Sequence, residues 1–255
     1  LRVLITNDDG IDSPGIKVLG EVFAEDFETF IIAPERQRSA LGHSITTHKP
    51  LRVKEIESNK QNLKIYATNG TTADCVILGV DVFVKKIDFI VSGINELPNV
   101  GDDITYSGTI SGSMEAVING VPSIAVSILG FKENLFLAAK FSKELVKYLI
   151  KNPLKKGTFL NVNFPGEGEI KGIKISKVGR VWYKNRTVKR IDPLGRPYYW
   201  IIGEPVWEGE EDTDTWAVKN GFVSITPLHL DLIDYETYEI LIKKERDFLS
   251  LLKNG

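Results

Sequence analysis

The chain has a single cysteine, Cys75, in 255 residues, so no disulfide can form within it. Cys75 sits in an apolar run and reads as buried packing. Its three histidines, His43, His48 and His229, lack metal-ligand spacing, which argues against a zinc centre. Charge of neither sign dominates: 32 Lys and Arg against 34 Asp and Glu leave a net charge of −2. That balance supplies no broad basic field, so neither a nucleic-acid polymer nor an anionic membrane is the expected partner. No apolar stretch approaches the roughly 20 residues of a membrane span. With one thiol and no secretory pattern at its start, the protein is expected in the cytoplasm. Several motifs are also missing. There is no P-loop, no Gly-x-Gly-x-x-Gly after the first strand, and no Gly-x-Ser-x-Gly elbow.

What is present is a regular alternation. Residues 2–6, 29–33, 87–91, 123–128 and 158–164 are short apolar runs with strand character. Between them, residues 14–27, 71–84, 109–119 and 133–151 have helical spacing. Ser13 and Pro14 suit the start of the first helix, and Gly120 followed by Pro122 suits the end of the third. Residues 45–56 and 63–67 read as strands of a hairpin or extension, and 34–44 and 95–107 as polar loops. Apolar strands separated by helices imply a parallel sheet covered on both faces. Residues 1–165 are therefore expected to form a Rossmann-like, doubly wound α/β core with a mostly parallel sheet. Residues 166–255 are expected to be a C-terminal extension. It would hold a protruding β-hairpin around 198–202, a short helix at 212–220, a returning strand at 222–226 and one amphipathic helix at 235–252 suited to assembly.

Ligands in doubly wound folds sit at the carboxyl ends of the strands, and hard oxygen donors gather there. Asn7, Asp8, Asp9 and Gly10 follow the first strand, Arg36, Arg38 and Ser39 the second, and Asn95 the strand at 87–91. Adjacent carboxylates raise each other's pKa unless a cation compensates. Gly10 permits the turn that brings both toward one ion. An ordinary Asp-Asp-Gly turn is the competing reading, and its place after the first strand weighs against it. Asp8, Asp9, Ser39 and Asn95 form an all-oxygen set suited to Mg²⁺, Mn²⁺ or Ca²⁺. Ser107, Gly108 and Thr109 precede a helix, whose N-terminal amides suit phosphate; a plain N-cap is the compatible alternative. A haloacid-dehalogenase nucleophile is excluded because the first position of the triplet is the amide Asn7, which is read instead as lining the phosphate site.

The motifs Leu4-Ile5-Thr6-Asn7-Asp8-Asp9-Gly10-Ile11, Ala33-Pro34-Glu35-Arg36-Gln37-Arg38-Ser39, Ala73-Asp74-Cys75-Val76 and Ser92-Gly93-Ile94-Asn95 together resemble the stationary-phase survival protein SurE family. So do the run from Gly101 to Thr109, Leu160-Asn161-Val162-Asn163, and Ser224-Ile225-Thr226-Pro227-Leu228. The resemblance implies a cytoplasmic, metal-dependent 5′-/3′-nucleotidase with one divalent cation per subunit, Mg²⁺ or Mn²⁺ ahead of Ca²⁺. It implies Asp8, Asp9, Ser39 and Asn95 as metal ligands, and Ser107-Gly108-Thr109 as the phosphate segment. It also implies a homodimer or homotetramer built through a swapped C-terminal extension. This chain departs from the family pattern at two places. Leu97 stands where a Gly is usual two residues after Asn95, and Thr72 where a Pro is usual before Ala73.

The expected chemistry is hydrolysis of a small phosphomonoester, with Asp8 or Asp9 orienting or deprotonating water; a covalent aspartyl-phosphate on one of them is the open alternative. The competing readings are an exopolyphosphatase acting on short polyphosphate and a nucleotide- or metal-binding protein without turnover.

Overall fold

The computed structural model describes residues 1–131 and 133–253; the last two residues of the expected extension lie outside them. Strand β1 (Arg2–Thr6) leads to helix α1 (Pro14–Phe23) and strand β2 (Glu28–Pro34). An antiparallel pair follows, β3 (Val53–Ile56) and β4 (Leu63–Thr68). Helix α2 (Thr72–Leu78) runs into a π turn at Gly79–Phe83 and then β5 (Phe89–Asn95). A 3-10 turn at Gly101–Thr105 precedes α3 (Gly108–Ile118), β6 (Ser123–Ile128), α4 (Leu135–Lys151) and β7 (Thr158–Phe164). The remainder comprises β8 (Ile173–Ile175), β9 (Arg180–Lys184), β10 (Thr187–Ile191), β11 (Pro197–Ile201), β12 (Glu204–Glu208), α5 (Asp214–Lys219), β13 (Val223–His229), α6 (Tyr235–Ile242) and α7 (Glu245–Lys253).

These elements build a nine-stranded sheet in the order β3-β4-β2-β1-β5-β6-β7-β13-β8. Its centre, from β4 to β7, is parallel throughout. From β1 the chain winds outward through β2 to one side. It then returns to place β5 on the other side, so the order reverses beside β1. That is the expected α/β architecture, and the carboxyl ends of β1 and β5, where the order reverses, are where folds of this kind bind ligands.

The period of two along each strand divides the core. Val3, Ile5, Ile31 and Val91 face α1 and α4, packing with Ile16, Leu19, Ala138 and Val146. Leu4, Phe30, Ile32 and Ile90 face α2 and α3, packing with Cys75, Val76 and Ala116. Side chains such as Leu4, Ile5, Phe23 and Phe89 are fully buried, each contributing about 1.5–3 kcal/mol over an exposed counterpart.

Beyond β7 the chain leaves the sheet and comes back. β9 pairs with β12 and β10 with β11, so residues 180–208 form one long antiparallel arm. β13 then re-enters the sheet antiparallel to β7 and parallel to β8. Two expectations need correction. Residues 63–67 are not a peripheral hairpin strand alone, because β4 also pairs with β2 inside the main sheet. Residues 235–252 form two helices, α6 and α7, separated at Lys243 and Lys244, and no residue of α6 is buried. No helix among the described residues is long and apolar enough to cross a membrane.

Candidate active site

The turn after β1 is built by its own side chains. Gly10 adopts φ +97°, a conformation that favours glycine. Asn7 clamps the turn from both ends of its amide: Nδ2 donates to the Gly10 carbonyl at 3.0 Å, and the Gly10 amide donates to Oδ1 at 3.2 Å. Asn7, expected to line the phosphate site, is thus engaged in shaping the turn that carries Asp8 and Asp9.

Asp8 is buried, and Thr109 donates its hydroxyl to Asp8 Oδ1 at 2.6 Å. Burial pushes the Asp8 pKa up, against hydrogen bonds from Thr109 and the amides of Gly108 and Thr109 that pull it down. A Cβ added at Gly108 would lie 2.7 Å from both Cβ and Oδ2 of Asp8. Helix α3 therefore begins directly against a carboxylate. Ser107 caps that helix, its Oγ accepting from the Ile110 amide at 3.0 Å. The hydroxyl of Thr109, expected to meet phosphate, is spent on Asp8. The N-cap reading of Ser107 is realised.

Asp9 is more open. The Glu96 amide donates to its Oδ2 at 3.3 Å. Partial burial, followed by repulsion from Asp8, raises its pKa to about 6. Among the described residues neither carboxylate makes an ion pair, so the charge of the two together is uncompensated by the protein.

Asn95 ends β5, where the pairing with β6 shifts register between Ser92 and Asn95. Such an irregularity re-aims the side chain that follows it. Asn95 Nδ2 donates to the Leu97 carbonyl at 2.5 Å, which leaves the amide oxygen for another partner. Ser39 is exposed on the loop after β2 and accepts from Gln37 Nε2 at 2.9 Å. Its neighbour Arg38 fastens that loop to the site, the Arg38 amide donating to the Asp8 carbonyl at 2.7 Å. The arginine side chains lead elsewhere: Arg36 to Glu35, Arg38 to the Asn69 carbonyl. No group of three or more His, Cys, Asp or Glu that could hold a metal occurs among the described residues. The candidate set is instead two carboxylates completed by a hydroxyl and an amide oxygen, hard donors that fit Mg²⁺ or Mn²⁺.

Supporting residues escaped the sequence reading. The Ser39 loop is moored at His43, whose Nε2 lies 2.8 Å from Glu115 Oε2 on α3. It is moored again where the Thr46 amide donates to Asp74 Oδ1 and Thr71 Oγ1 donates to the Ser44 carbonyl. These partners are far apart in the chain and carry no local signal. A buried amide network holds the loop after β5. The Asn99 amide donates to Asn163 Oδ1, Asn99 Nδ2 to Ser127, and Asn161 Nδ2 to the Asn99 carbonyl. Here a signal existed, since Asn161 and Asn163 recur at the strand period in an otherwise apolar strand. Farther along, Asp214 accepts from the amides of Gly101 and Gly179, and Asp102 accepts from Val181, joining the 3-10 turn to the arm.

The chain is similar to known proteins along most of its length. The family profile described as "Survival protein SurE" matches residues 3–185. A protein of Pelotomaculum thermopropionicum called "5′-nucleotidase SurE" is 47% identical over 249 residues, covering 95% of this chain and 95% of that protein. One of Aquifex aeolicus with the same name is 47% identical over 240 residues, covering 91% and 94%. The crystal structure of the Aquifex aeolicus SurE protein superposes with a TM-score of 0.82 at 45% identity, covering 96% of this chain and all of that one.

Proposed function

The chain belongs to the SurE family, and from that premise we propose that it is a hydrolase, a 5′-nucleotidase that converts nucleoside 5′-monophosphates to nucleoside and phosphate. The observation that carries the reading is the unpaired carboxylate couple Asp8–Asp9 at the sheet's switch point, set against the first turn of α3.

We assign one divalent cation, Mg²⁺ or Mn²⁺, to Asp8, Asp9, Ser39 and Asn95. Two features support that set: the uncompensated charge of the couple, and an Asn95 amide fixed through its nitrogen with its oxygen left over. When bound, such a cation supplies Lewis acidity and a water of lowered pKa. The protein's own part is positional and protolytic. Thr109 and the α3 amides hold Asp8 with one oxygen in a short hydrogen bond, a poor state for a nucleophile. Asp9, half-open and held by a single amide, is the better base for a proton of the attacking water. Gly108 keeps the backbone close enough for its amide to face the carboxylate and the substrate phosphate beside it.

The substrate is a small nucleotide in a cytoplasmic setting. A homo-oligomer is part of the proposal, supported by the exposed apolar side chains Tyr198, Trp200, Tyr238 and Leu241 on the arm and α6. The test is phosphate release from AMP, GMP and p-nitrophenyl phosphate with Mg²⁺ or Mn²⁺, then with EDTA. Metal-dependent release abolished by chelation is the expected result. No release from any of the three with either metal would refute the proposal.

A further inference from the structure

Two exposed apolar side chains stand on fixed backbone in the segments that reach the carboxylate couple. Leu97 is 65% exposed and Tyr106 55%. Neither exposure comes from fraying. Leu97 lies between two anchored points: its own carbonyl accepts from Asn95 Nδ2, and two residues on the Asn99 amide donates to Asn163. Tyr106 is held by its amide on the Asp103 carbonyl at 3.1 Å and by its carbonyl, which accepts from the Gly42 amide at 3.0 Å. The next residue caps α3.

Both are close to the reacting centre. Leu97 follows Glu96, whose amide is bonded to Asp9. Tyr106 is two residues from Gly108, which abuts Asp8, so its Cα is within roughly 7–8 Å of that contact. The residue between Asn95 and Leu97 is Glu96, exposed and acidic. The nearby arginines turn to Glu35 and Asn69. Apolar and aromatic side chains with a carboxylate beside them, and the two arginines of the Ser39 loop turned to other partners, suit a flat, uncharged ring better than a chain of further phosphates.

We propose that Leu97 and Tyr106 form the face on which the nucleobase of the substrate rests, and so determine specificity for nucleotides over phosphomonoesters without a base. This rests on the 5′-nucleotidase reading above. Tyr106 supplies a stacking surface that tolerates different bases, and Leu97 a rigid apolar contact to the same ring.

The test compares AMP with ribose 5-phosphate in the Mg²⁺-loaded wild type and in Tyr106→Ala, Tyr106→Phe, Leu97→Ser and the double variant. Truncating Tyr106 is expected to raise KM for AMP about tenfold, with kcat within about twofold. Tyr106→Phe restores the wild-type value, Leu97→Ser gives a smaller rise, and ribose 5-phosphate kinetics stay unchanged. Equal losses on both substrates, or none on AMP, would overturn the proposal. Calorimetric AMP binding to wild type and Tyr106→Ala separates it from the parent reading. A protein that hydrolyses neither ester yet binds AMP more weakly after truncation refutes the nucleotidase and keeps the face. Equal binding refutes the face whatever the turnover.

Discussion

The hydroxyl of Thr109 and the carboxylate of Asp8 lie 2.6 Å apart, although 101 residues separate them in the chain. The contact fixes one carboxylate oxygen of the couple and ties the first turn of α3 to the end of β1. It makes Asp8 the immobile member of the pair and Asp9 the responsive one.

Removing that hydroxyl isolates its effect. Thr109 is fully buried and Val is nearly its shape, so Thr109→Val leaves packing in place and frees Asp8. We expect kcat/KM on AMP to fall about 10–100-fold, as for loss of a charge-assisted hydrogen bond in a catalytic site. Thr109→Ser should recover most of it. Steady-state kinetics of the two variants decide the point, and indistinguishable values would remove Thr109 from the machinery.

Asp8→Asn separates activity from stability. The buried charge is disfavoured where it sits, and Asn retains an acceptor for Thr109. Turnover should drop by about a thousandfold or more, while the thermal midpoint stays level or rises. Retained turnover would sink the metal-site assignment.

Two glycines at opposite ends of α3 should behave differently. A methyl at Gly108 meets Asp8 at 2.7 Å, whereas at Gly120, with φ +75°, it meets nothing within 4 Å. Gly108→Ala should therefore abolish most activity by displacing Asp8. Gly120→Ala should leave kcat/KM intact and cost about 1 kcal/mol through backbone strain alone. Paired kinetic and urea-unfolding measurements test both halves.

Acid stability has a local source. Lys143, nearly buried on α4, binds Glu25 at 2.6 Å and Asp26 at 2.9 Å. Its hydrogen bonds hold both carboxyls below their usual values of 4.5 and 3.8. A lowered carboxylate pKa gives stability that is full above the unfolded value and fades as pH falls through the folded one. The wild-type advantage in urea midpoint over Lys143→Met should be constant above about pH 5 and shrink below pH 4. A gap independent of pH over that range would show that Lys143 acts only through packing.

The sequence reading reached the sheet because each central strand is short, apolar and bounded by turn residues, and it reached the Asp8–Asp9 couple because strand ends are where such folds bind ligands. It did not reach the role of Thr109. A hydroxyl at the start of a helix serves phosphate, cap or carboxylate equally well until the partner across the sheet is known. The His43–Glu115 and Asp214–Gly101 contacts were hidden for the same reason: each joins segments with no shared periodicity. The pairing of β4 inside the sheet was missed because Lys64 and Tyr66 interrupt the apolar run that marks the other central strands. The break at Lys243 and Lys244 carries no glycine or proline to announce it.

The anchoring of the Gly101 amide by Asp214, and of the chain beyond it by β13, bears on the order of biosynthesis. A ribosome delivers the β1 turn, the Ser39 loop and α3 long before it delivers residue 214. Domains begin folding from the emerged end of the nascent chain. During that interval the turn leading into α3 lacks its anchor and β7 lacks its outer neighbour. The proposed catalytic groups are thus synthesised well before one anchor of the turn that leads into α3.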